Sequence, residues 1–191
     1  MTKYVLPQSQ NRITFKQGSL DSLCGLYSAI NAIQLSAKLT HYVPRSKCRI
    51  LASAGLSYLH AEYDLYHALT NGLSCKRRRK LAKFLVSTSN DLFRTDLELV
   101  RLVLDKKDPF SVIEKEIRKG FPVCINLQGT LKHFSVISGY DDNRLYFDDS
   151  DGLKFIKKRS IGFKGDKDRK RHKFANKGVF VIRNRDPRSQ D

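Results

Sequence analysis

With 191 residues and 40% apolar side chains, the chain suits one compact domain (1–191) and is too short for two of full size. Its 36 Lys and Arg against 19 Asp and Glu leave a net charge of +17, which attracts anions but identifies none of them. No run approaches the roughly 20 apolar residues of a membrane-spanning helix, and Met1 to Gln8 lack the apolar core of a secretory signal. The expectation is therefore a cytoplasmic protein, or one exported without a classical signal.

In chain order, a polar loop, Lys16 to Asp21, leads into Ser22–Ser36, where Leu23, Leu26, Tyr27, Ile30, Ile33 and Leu35 make most sides apolar. That pattern predicts a centrally buried helix. Further helices are predicted over Lys47–Leu69, Arg77–Leu85, Asp96–Leu104 and Pro109–Lys119, the last closed by Gly120. The period then changes. Val123–Leu127, Phe134–Tyr140, Leu145–Phe147, Leu153–Lys157 and Val179–Arg183 read as short strands, with turns at Asp141 to Asn143 and at Asp151-Gly152. Gly162–Lys177, polar and basic, reads as an exposed loop between the last strands. Helices over about 1–120 and an antiparallel sheet over about 121–185 predict an α+β chain.

The positive charge concentrates in Lys76–Lys80, Lys157–Arg159 and Arg169–Lys173. These clusters suit an acidic or anionic partner, particularly along the C-terminal half. Nucleic acid is not favoured, because no recognition signature accompanies the charge and the tail offers only Phe163 and Phe174 for stacking.

Four cysteines show neither a CxxC pair nor close Cys/His spacing, so no metal or cofactor and no disulfide framework is expected. Cys124 lies in the apolar run Phe121–Leu127, where a buried inert thiol is the ordinary reading. Cys48 and Cys75 sit beside basic residues and read as surface positions. Cys24 differs: it ends a Gly-containing loop at the start of the buried helix. There, free N–H groups and the macrodipole favour a thiolate and can hold an oxyanion. Gln17, just upstream, can supply a second oxyanion donor through its amide. His133 opens a strand, and Asp148 to Asp151 end the next one, where an acid can hold the second imidazole nitrogen.

On these residues the chain resembles the papain-like superfamily of cysteine peptidases, whose order is oxyanion Gln, nucleophilic Cys on a helix, His on a strand and Asn or Asp on the following strand. His133-Phe134-Ser135-Val136-Ile137 followed by Phe147-Asp148-Asp149-Ser150 is most similar to its bacteriocin-leader-processing (double-glycine peptidase-like) branch. The resemblance implies a papain-like fold and a thiol protease acting on a peptide or isopeptide bond. It makes Cys24 the nucleophile, His133 the base and Asp149 the orienting acid, with Asp148 as the alternative. Gln17 stands seven positions before Cys24, one more than the usual loop, so Ser19 or backbone groups are alternative oxyanion donors. Asp21 is also similar to the Asp-x-x-Cys loop of ovarian-tumour-type deubiquitinases, and Gln17–Leu20 to the Josephin deubiquitinases. Two other readings stay open: a protein glutamine deamidase or transglutaminase, of the kind found in bacterial effectors, and a non-catalytic basic nucleic-acid-binding module.

Overall fold

The computed structural model describes residues 3–10, 14–18, 21–37, 42–105, 107–163 and 170–185, and the chain is α+β. The N-terminal part holds β1 (Tyr4–Val5), α1 (Pro7–Gln10), α2 (Cys24–Ala37), α3 (Arg45–Glu62), α4 (Leu65–Asn71), α5 (Cys75–Phe93), β2 (Leu97–Arg101) and α6 (Pro109–Arg118). Then follow β3 (Val123–Gly129), β4 (His133–Tyr140), β5 (Arg144–Phe147), β6 (Phe155–Lys157), β7 (Ile161–Phe163), β8 (His172–Phe174) and β9 (Phe180–Asn184).

The strands form a single sheet with the order β2-β9-β3-β4-β5-β6. β1 extends it on β4, β8 pairs with β3, and β7 joins β8 in parallel as the one non-antiparallel pair described. One face, carrying Cys124, Phe134, Val136, Phe180 and Ile182, packs on α2 and α5, and α3 packs on those two helices. The other face, carrying Val123, Ile125, Leu127, Ile137 and Val181, packs on Ile113 and Ile117 of α6 and on Leu6. The unbroken apolar run of β3 follows, because a strand covered on both faces has no polar side to show.

α2 is the central helix. All of its residues except Cys24 and Tyr27 are buried, as its all-round apolar sequence requires. Gly55 of α3 lets that helix approach closely, since a Cβ there would meet Leu26 Cδ1 at 2.5 Å. α6 begins with Asp108 accepting the Ser111 N–H and ends at Gly120, whose φ of +94° is a left-handed stop.

Four expectations need correction. The long helix over Lys47–Leu69 is two helices, broken at Tyr63 and restarted by Asp64, whose carboxylate accepts the His67 N–H. Asp96–Leu104 is not helical: Leu97–Arg101 is edge strand β2, paired in register with β9 so that Glu98 meets Arg183 at 2.8 Å. Its leucines suit either period, and tertiary pairing decides. Arg94 ends α5 in the left-handed region (φ +55°) without the usual Gly or Asn. Asn90 then takes the place of a strand partner for Leu97, accepting its N–H and donating to its carbonyl at 2.9 Å each. The third correction concerns Gly162–Lys177, which contains strands β7 and β8 with Phe163 and Phe174 buried; residues 164–169 lie outside those described. Last, β1 and β2 bring two segments of the helical half into the sheet, so the division at about residue 120 does not separate the layers.

Asn90→Ala removes both clamping bonds and leaves the Leu97 groups to find other partners. We expect it to cost about 1–3 kcal/mol, measured as a lower midpoint in urea with an unchanged slope.

Candidate active site

Cys24 is the first residue of α2, and the loop before it is held by polar contacts that require particular side chains. Asn31, fully buried two turns further along α2, clasps the Phe15 backbone, accepting its N–H and donating to its carbonyl at 3.0 Å each. Asp21 accepts the N–H of Gly18 at 2.7 Å and that of Leu23 at 3.0 Å, tying the loop to the start of the helix. Gln17 donates its backbone N–H to the Ser150 carbonyl at 3.1 Å, and its Oε1 accepts the Ser150 hydroxyl at 3.4 Å. With Oε1 occupied, the Nε2 amide is the end of Gln17 that has protons to give. Ser19, the alternative donor, lies outside the described residues.

His133 is the first residue of β4 and pairs with Leu127 of β3, which sets its backbone in the sheet. Its Nε2 lies 2.7 Å from Asp149 Oδ2. With Nε2 on Asp149, Nδ1 is the ring nitrogen left for the Cys24 thiol, which is near enough to act on the imidazole's ionisation. The Asp149 carboxylate is wholly buried and saturated: Oδ2 takes His133 and the Ser135 hydroxyl, and Oδ1 takes the N–H groups of Asp151 at 2.8 Å and Leu153 at 3.1 Å. Asp148 turns elsewhere and accepts the Thr14 hydroxyl. Of the two acids, Asp149 is the one on the imidazole.

Burial pulls the His133 imidazole down, but the hydrogen bonds and charges of Asp149 and Cys24 outweigh it and raise it to about 10. For Asp149, burial pushes upward, and its bonds to His133, Ser135 and Leu153 outweigh that and hold it below the usual carboxylate value. The arrangement thus keeps an imidazolium against a carboxylate through neutral pH.

The remaining thiols lie in other settings. Cys124 is buried in β3, and burial pushes it up to about 12 against the opposing pull of Arg78. Cys48, expected at the surface, is buried on α3, where a small apolar side chain fits the packing. Cys75, the first residue of α5, is half-buried and accepts a hydrogen bond from Asn126 Nδ2 at 2.8 Å. It shares with Cys24 a cleft of about 500 Å³, whose walls include Leu73, Asn126, Gln128, Lys132 and Phe134.

Several supporting residues escaped the sequence reading. Ser135 stands two positions from His133 and so shares its face of β4, a period-2 relation that the sequence does carry. Asn31 and Ser150 gave no local signal, because their partners lie far along the chain. Arg78, part of the basic run Lys76–Lys80, is completely buried behind Cys24, where a Cβ on Gly25 would touch its Cγ at 3.2 Å. Its guanidinium lies between the rings of Phe134 (4.2 Å) and Phe180 (4.5 Å) and donates to the carbonyls of Ile125 and Gly178, each at 2.6 Å.

No protein-family model and no curated protein matches the chain.

Proposed function

We propose that the chain is a papain-like cysteine peptidase that cleaves a peptide or isopeptide bond through Cys24, His133 and Asp149. The observation that carries this reading is one imidazole bonded to the buried Asp149 carboxylate and raised also by the thiol of Cys24, which opens the central helix. The Cys24 proton resides on His133 as the imidazolium that the raised ring favours, and the sulfur attacks the acyl carbonyl. The backbone N–H of Cys24 and the Gln17 amide hold the resulting oxyanion. The imidazolium protonates the leaving amine, a thioester remains on Cys24, and water delivered through His133 releases the acid. Asp149 keeps the ring oriented throughout. No metal or cofactor enters this scheme, and the substrate is a protein or peptide.

The binding-module reading loses its stacking candidates, since Phe163 and Phe174 lie in the core. Deamidation or acyl transfer would use the same residues with a different leaving group or acceptor. Ammonia release without chain cleavage would identify deamidation.

The test is intact-mass analysis after brief, substoichiometric iodoacetamide near neutral pH. Wild-type protein should be labelled at Cys24 in preference to half-buried Cys75, and His133→Ala should slow that labelling at least about tenfold. Indiscriminate labelling of Cys24 and Cys75 at rates the mutation does not change would sink the proposal.

A further inference from the structure

Ser74 and Cys75, at the far end of the cleft that holds Cys24, also line a second pocket of about 420 Å³. Its other walls are Lys76 and Arg79 from the first turns of α5, Arg101 from the end of β2, and Lys177 from the turn before β9. Four cations from three separate elements meet there, and no carboxylate lines the pocket. Among the described residues none of the four is engaged in an ion pair. Lys132 adds a further cation along the neighbouring cleft.

This convergence has a cost in the free protein. Lys76 repels Arg79 and Lys80 at spacings of three and four residues, and the first turn of α5 contains no acidic residue. Positive charge at that end also opposes the helix macrodipole. Locally unfavourable choices of this kind concentrate where a ligand relieves them.

We propose that this pocket anchors an acidic segment of the polypeptide substrate and so holds the scissile bond over Cys24. The inference rests on the cysteine peptidase reading and adds the substrate class. Carboxylates are the chemistry that four unpaired cations select. A polypeptide suits the pocket better than a nucleic acid, because no aromatic side chain lines it to stack a base. The shared wall of Ser74 and Cys75 lets one extended chain run from the pocket into the cleft, past the polar Asn126 and Gln128.

The test compares two iodoacetyl peptides with the same glycine spacer, one ending in a run of glutamates and the other in a run of glutamines. Peptide mapping follows the rate of label at Cys24. We expect the glutamate reagent to label Cys24 about tenfold faster at low salt, with the advantage fading as salt rises. Arg79→Ala/Lys177→Ala should lose most of that advantage while keeping the glutamine rate. Arg49→Ala/Lys83→Ala removes the same charge from exposed positions away from the pocket and should retain it. Thermal melts should show the pocket variant no less stable than wild type, because it relieves repulsion, and Lys76→Gln/Arg101→Gln provides an independent repeat. An equal advantage in both double variants, or none in wild type, overturns the docking site while leaving the peptidase reading intact. A slow glutamine reagent, indifferent to His133→Ala, overturns the peptidase reading itself. Stronger suppression of the advantage by oligothymidylate than by oligoglutamate of equal charge makes the pocket a nucleic-acid site and overturns the proposal.

Discussion

Arg78→Ala should destabilise the protein by about 3–5 kcal/mol, lowering the melting temperature by roughly 10 °C or more. The side chain has no exposed surface, and its two terminal nitrogens bind carbonyls that belong to β3 and to the turn before β9. Hydrogen bonds from a charged donor contribute about 1.5–3 kcal/mol each, and truncation strips both carbonyls of that donor. The guanidinium also fills the space between Phe134 and Phe180. Against these gains stands the cost of a buried charge: burial lowers Arg78 to about 10, although the nearby thiols Cys124, Cys75 and Cys24 favour its charged form, and its Nε has no hydrogen-bond partner. An apolar replacement of similar length therefore recovers part of the loss, and Arg78→Met should melt between wild type and Arg78→Ala. Calorimetry on the three proteins decides the matter. A melting temperature within about two degrees of wild type for Arg78→Ala would show that the buried guanidinium does not tie α5 to the sheet.

The second large effect concerns the His133–Asp149 pair. On the proposed peptidase mechanism, His133→Ala should slow acyl-enzyme formation by about a thousandfold, and Asp149→Ala should slow it less, since an orienting acid costs less to remove than the base. The two variants also differ in pH dependence. With the imidazole raised to about 10, the alkaline limb of kcat/KM in the wild type should fall near that value. Asp149→Ala removes the largest of the influences raising it, so the limb should move down toward the ordinary imidazole value of 6.5.

Stability follows the same linkage. A raised folded-state imidazole contributes stability that is fully present below 6.5 and is lost as pH rises through about 10. The depressed Asp149 carboxyl contributes above its ordinary value of 3.8 and loses that contribution as pH falls through its lower folded value. The pH-dependent part of the stability gap between wild type and His133→Ala should therefore be greatest between about pH 4 and 6.5 and should vanish above 10. A gap that widens toward alkaline pH would mean that the pair is neutral and uncharged in the folded protein.

Much of this site could be read along the chain because its parts sit at element boundaries. Cys24 opens an all-apolar helix after a Gly-containing loop, His133 opens a strand, and Asp149 follows the next one. Boundary positions are marked by changes of hydrophobic period, which need no knowledge of distant neighbours. The choice between Asp148 and Asp149 was different in kind. Adjacent residues diverge in direction, and only the path of the chain after β5 decides that Asp149 meets the imidazole while Asp148 meets Thr14.

The amino-acid pattern alone determined the α+β class, the buried central helix, the stop at Gly120, and the order of Cys24, His133 and the acidic turn. Each follows from local periodicity and backbone preference. Tertiary structure decided that Leu97–Arg101 pairs as a strand, that Arg78 leaves its basic run for the core, and that Phe163 and Phe174 leave the surface. It also brought Asn31, Ser135 and Ser150 to the supports of the site. Each of these outcomes depends on a partner from elsewhere in the fold: β9 for the strand, two main-chain carbonyls and two rings for the arginine, the sheet for the phenylalanines. Hydrogen bonding and burial are satisfied between segments, so a residue whose role lies in such a pairing shows it only once the chain has folded.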